Sequence, residues 1–71
     1  MKLGMLWFDN DPKKTFESRA MPAIQYYKNK YGHDVTAIWV HPDTAISPLQ
    51  GIDIVKSRSV MPNHFWVGGK E

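Results

Sequence analysis

The segment Lys13–Val40, KKTFESRAMPAIQYYKNKYGHDVTAIWV, decides the fold. Its residues Phe16, Ala20, Ala23, Ile24, Tyr27 and Tyr31 recur every three to four positions, the spacing that gathers apolar side chains on one stripe of an α-helix. Lys14, Glu17, Ser18, Gln25 and Lys28 fall away from that stripe and form a solvated face. Gly32 supplies the residue that most readily closes a helix. Pro22 lies off the stripe and withholds one amide hydrogen, so the expected helix is continuous but kinked there. After the glycine, Val35–Val40 (VTAIWV) is β-branched and aromatic and runs into His41-Pro42, a strand ended by proline.

Upstream, Lys2–Phe8 (KLGMLWF) reads as a buried strand that stops at Asp9-Asn10-Asp11-Pro12. Asp11 is the expected N-cap and Pro12 the expected first helical residue, which gives a helix of about 19 residues. A strand, a helix and a strand make a βαβ unit, whose two strands run parallel in one sheet. Downstream, Pro42–Gly51 reads as a loop. Two more short strands follow, Ile52–Lys56 and His64–Val67, joined through Ser57, Arg58, Ser59 and Pro62. The expected fold is α/β of the α+β kind: βαβββ, a mixed sheet of about four strands with one helix on one face.

Composition limits what such a chain can be. Its 71 residues suit one small domain, and a domain of that size hides only about 60% of its unfolded surface. With no cysteine, neither a disulfide nor a thiolate zinc site can support it. Three Trp, three Tyr and three Phe are a heavy aromatic load for so small an interior. One helix covers one side of a sheet, whereas Met5, Trp7, Ile38, Val40, Ile54, Phe65 and Val67 are expected to divide between two sides. A second copy, or a larger protein partner, is the expected cover of the bare side. No apolar run nears the roughly 18 residues of a membrane span, and the chain reads as cytoplasmic with no membrane contact.

Three sets of residues could carry chemistry. Leu6-Trp7-Phe8-Asp9-Asn10-Asp11 resembles the first motif of the haloacid dehalogenase superfamily, a strand running into two carboxylates two residues apart. That resemblance implies Asp9 as a phosphoryl-accepting nucleophile, Asp11 as its proton shuttle and a magnesium ion beside both. The competing reading makes Asp11 a helix cap and Asp9 a turn residue near the favourable end of the helix dipole. With parallel first and second strands, Asp9, Asp11, His41 and Asp43 all leave the sheet at its carboxyl edge, where open α/β sheets bind ligands and where oxygen and imidazole donors suit a divalent metal. His64 joins that edge only if the last strand runs antiparallel to the first. His33, beyond Gly32, reads as a structural residue at the helix C-terminus.

The third set is basic: Lys13, Lys14, Arg19, Lys28, Lys56 and Arg58, with Tyr26, Tyr31 and Trp66 available to stack on bases. A net charge of +2 is compatible with nucleic-acid binding and does not require it. Taken whole, MKLGMLWFDNDPKK, KYG, VHP and MPNHFWVG resemble a family of small bacterial proteins, a resemblance that implies a single small domain and no particular activity. The leading expectation is a non-catalytic binding or interaction module acting as a homodimer. A nucleic-acid-associated accessory protein comes second. A metal-dependent phosphoryl-transfer or hydrolase site at Asp9, Asp11 and His41 comes third.

Overall fold

The computed structural model describes residues 4–11 and 13–69. Its elements run β1 (Gly4–Phe8), α1 (Phe16–Tyr31), β2 (Ala37–Val40), β3 (Asp53–Lys56) and β4 (His64–Gly68). The four strands form one mixed sheet in the order β1-β4-β2-β3. β4 is antiparallel to both β1 and β2, while β2 and β3 are parallel. The βαβββ arrangement with one helix against a four-stranded mixed sheet is therefore as expected. β1 and β2 are parallel to one another but not adjacent, because β4 inserts between them.

The helix begins later than its sequence suggested. Asp11 does not cap it: Asp11 Oδ1 accepts the Lys13 amide at 2.9 Å and closes a local turn instead. Thr15 is the N-cap, its Oγ1 accepting the Ser18 amide at 3.1 Å, and the helix is 16 residues long. Two cap signals compete within five residues. Thr15 wins because it places Phe16, 5% exposed, directly into the core at the first helical position. Pro12 lies outside the described residues. The helix passes unbroken through Pro22 and ends as expected at Gly32, where φ is +78° and the amide donates to the Lys28 carbonyl at 2.8 Å.

The core lies between α1 and one face of the sheet. Phe16, Ala20, Ala23 and Tyr27 come from the helix, and Ile38, Val40, Phe65 and Val67 from β2 and β4, with Val35 closing one end. Ile24 and Tyr31 complete the helical stripe at its margin, and Met5, Trp7 and Ile54 extend the sheet face. The register puts Met5, Val67, Ile38 and Ile54 in one row and Trp7, Phe65 and Val40 in the next. All seven sheet residues expected to split between two faces thus share the helix side, a correction that follows from side-chain parity across the paired strands. The β2–β3 connection adds Leu49 and Ile52 to the same core, so α1 and this loop together cover that side.

The opposite face is built from the alternate residues. Leu6, Trp66, Trp39 and Val55 stand in register across all four strands, and Phe8 pairs with His64 in the next row. Leu6 is 57% exposed, Phe8 55% and Val55 39%. Trp39 and Trp66 at the centre of this face are half-buried and Val60 of the β3–β4 connection is buried beside them, so the expectation of a bare apolar face holds only at its margins, at Leu6, Phe8 and Val55. No helix among the described residues is long and apolar enough to cross a membrane.

Candidate functional site

The carboxyl edge of the sheet gathers several of the expected residues. β4 runs antiparallel to β1 and β2, so His64 at its start lies at the same edge as Asp9 and His41. The intervening β4 holds Asp9 and His41 two strand spacings apart, about 9–10 Å. Asp9 Oδ1 accepts the Asp11 amide at 3.0 Å, and its Oδ2 meets Lys14 Nζ at 3.3 Å. His41 Nδ1 accepts the Asp43 amide at 3.1 Å, which leaves the proton of the neutral ring on Nε2. The Asp43 carboxylate is almost fully exposed, 3.9 Å from the same nitrogen. Each of these groups is engaged in its own local turn. Among the described residues, no three His, Asp or Glu side chains come together as a group that could hold a metal ion.

A small cavity of about 160 Å³ does open at this edge, with Arg19, His41, Asp43 and Asn63 on its wall. Arg19 reaches across from α1: its Nη1 donates to the Asp9 carbonyl at 3.4 Å, and its guanidinium lies 5.5 Å from the centre of the Phe65 ring. Arg19 Nε is buried without a partner among the described residues. Asn63 holds the bend before β4 with φ at +64°, a conformation asparagine tolerates better than most residues.

The Asp11 amide, and after it the Lys14 ammonium, hold the Asp9 carboxyl below its ordinary value. A carboxyl whose pKa is lowered by folding adds stability above the unfolded value of about 3.9, and loses it as pH falls through the lower folded value. Asp9→Asn keeps an oxygen for the Asp11 amide but does not titrate. In urea melts between about pH 5 and pH 2, the variant is expected to lose stability less steeply than the parent chain. Equal slopes would contradict this account of Asp9.

The basic residues do not form one track. Lys14 is paired with Asp9, Lys28 with Asp34 at 3.4 Å, and Arg19 is folded over Phe65. Lys28 lies in the last helical turn, at the opposite end of the sheet from Lys13. Lys56 ends β3 and Arg58 follows it, on the far side of the sheet from β1.

The largest exposed apolar groups cluster elsewhere, around β1. On the open face a cavity of about 270 Å³ is lined by Leu6, Val60, Met61, His64 and Trp66 together with Ser59. Met61 is 67% exposed, and the Phe8 ring packs on His64 at 4.8 Å. The Trp66 indole crowds Gly4: a Cβ there would stand 2.5 Å from Trp66 Nε1 and 2.8 Å from the Val67 carbonyl oxygen, so β1 needs glycine at this position. On the helix side Tyr26, 52% exposed, rests against Trp7 at 5.8 Å. Sequence reasoning missed Leu6 and Phe8 as surface groups, because a strand apolar at every position gives no alternation from which to read the face, and Met61 because it lies in the β3–β4 connection, where no period applies. Compared with protein families, curated proteins and solved structures, the chain matches none.

Proposed function

We propose that this chain is a non-catalytic interaction module that acts as a homodimer, with the exposed apolar groups at and around β1 in its interface. The observation that carries this reading is the gathering of the most exposed apolar side chains around one strand: Leu6 and Phe8 on β1, Met61 beside them on the open face, and Tyr26 against Trp7 on the other. Isolated apolar side chains are ordinary on a protein surface, but a contiguous group of aromatic and aliphatic side chains is characteristic of an association surface. Removing that area from water is worth roughly 25 cal/mol per Å², a useful supplement for a domain whose own core is small. The engagement of Arg19, Lys14 and Lys28 within the domain favours this reading over a nucleic-acid interface. Sedimentation equilibrium at micromolar concentration is expected to return twice the chain mass. A monomer under those conditions would overturn the proposal.

A further inference from the structure

The geometry points to β1 as the seam of that dimer: a second copy joins edge to edge, β1 against β1, and extends the sheet to eight strands. This rests on the self-association proposed above and specifies its geometry. Among the described residues β1 has β4 on one side and no strand on the other. The Asp9 amide donates to the Asn63 carbonyl at 3.0 Å, and that contact fixes the phase of the ladder. Antiparallel pairs exchange bonds at alternate residues, so Met5, Trp7 and Asp9 turn their amides towards β4. Gly4, Leu6 and Phe8 therefore turn their amides and carbonyls to the free edge.

Among the described residues, Gly4–Phe8 carries none of the usual protection. Edge strands in monomeric proteins carry lysine, proline, bulges or inward charges that discourage pairing. β1 is Gly-Met-Leu-Trp-Phe, with no charge and no proline. The other edge strand, β3, begins with Asp53 and ends with Lys56. The contrast assigns association to β1.

The occupant is a second copy because the outward residues are self-complementary. Reversed pairing centred on Leu6 sets Leu6 opposite Leu6 and Gly4 opposite Phe8, so every outward residue of one copy meets an outward residue of the other. The large Phe8 side chain falls opposite a glycine, beside the Trp66 indole that already lies over it. A twofold axis perpendicular to the sheet relates the two copies and keeps both helices on one side, which makes the contact isologous. The seam is then lined on one face by Leu6, Phe8 and Met61, and on the other by Trp7 and Tyr26. Four of the large apolar groups most exposed in the single chain (Leu6, Phe8, Tyr26 and Met61) flank this one strand.

Two measurements on the whole chain test the seam. The first is amide exchange of the unmodified protein as a function of concentration: the Leu6 and Phe8 amides are expected to gain at least tenfold protection as dimer forms, while the Val55 amide does not change. The second is sedimentation of Leu6→Pro, which removes an outward amide without breaking a β1–β4 hydrogen bond, of Leu6→Lys, and of Val55→Lys at the far side of the same face. Both Leu6 variants are expected to weaken dimerisation at least tenfold, and Val55→Lys to leave it as it was. A dimer that survives both Leu6 changes but is lost in Val55→Lys, with Leu6 and Phe8 amides unprotected, would place the second copy over the face. That result would overturn the seam and leave self-association standing, whereas a monomeric parent chain would overturn self-association itself.

Discussion

Phe65→Ala is expected to destabilise the domain by about 3–5 kcal/mol, the cost of emptying a large, fully enclosed aromatic site. Phe65 has no exposed surface, meets the Phe16 ring edge-on at 5.7 Å and lies under the Arg19 guanidinium. Truncation removes the transfer free energy of the ring and leaves a cavity between α1 and the sheet. It also removes the ring over which the Arg19 guanidinium lies. Stability for a domain of this length is roughly 4–11 kcal/mol at the usual 0.05–0.15 kcal/mol per residue, so this one change consumes a large share of it. Thermal melts followed by far-ultraviolet circular dichroism should show a midpoint lower by on the order of 15–30 °C. Phe8→Ala provides the contrast: the same truncation on the open face at a half-exposed site is expected to cost less than about 1 kcal/mol in the dissociated chain. Equal losses at the two positions would mean that the covered and open faces have been assigned the wrong way round.

The difference between those two phenylalanines also shows where the sequence could be read and where it could not. The helical stripe from Phe16 to Tyr31 has a period that only one secondary structure satisfies, and polar residues fill the remaining positions. Its buried face and its end at Gly32 were therefore legible. β1, β2 and β4 are apolar on both faces, so a period of two leaves no mark on them. Which of Leu6 and Trp7, or Trp39 and Val40, faces α1 depends on a register set by partners up to sixty residues away. The insertion of β4 between β1 and β2 is likewise a property of long-range pairing, and it separates Asp9 from His41 at an edge that they share. The helix start was misplaced for a more local reason. Asp11 and Thr15 both have side chains that accept an amide two or three residues on, and burial of Phe16 selects between them. The uncharged run Gly4–Phe8 is visible in the sequence. It acquires meaning only once the strand order makes β1 an edge.

Ala23→Leu is expected to destabilise the domain by about 1–3 kcal/mol for the opposite reason, overpacking. Ala20 and Ala23 have no exposed surface, and they lie on the part of α1 that faces the sheet. Small side chains there let the helix axis approach close enough for Phe16 and Tyr27 to share one core with Phe65 and Val67. By helix propensity alone leucine costs almost nothing relative to alanine, so propensity and packing predict different results at this site. Three added carbons must either force neighbouring side chains off their rotamers or lift α1 from β4 and β1, the strands it covers. Gln25→Leu, on the solvent face of the same helix, adds a similar apolar group where nothing obstructs it and is expected to stay within about 0.5 kcal/mol of the parent. Urea denaturation of the two variants at a protein concentration low enough to keep the chain dissociated separates these effects. An Ala23→Leu chain as stable as its Gln25→Leu counterpart would show that the helix–sheet gap holds space for a larger residue, and would remove the close approach of α1 from the account of how so small a core holds together.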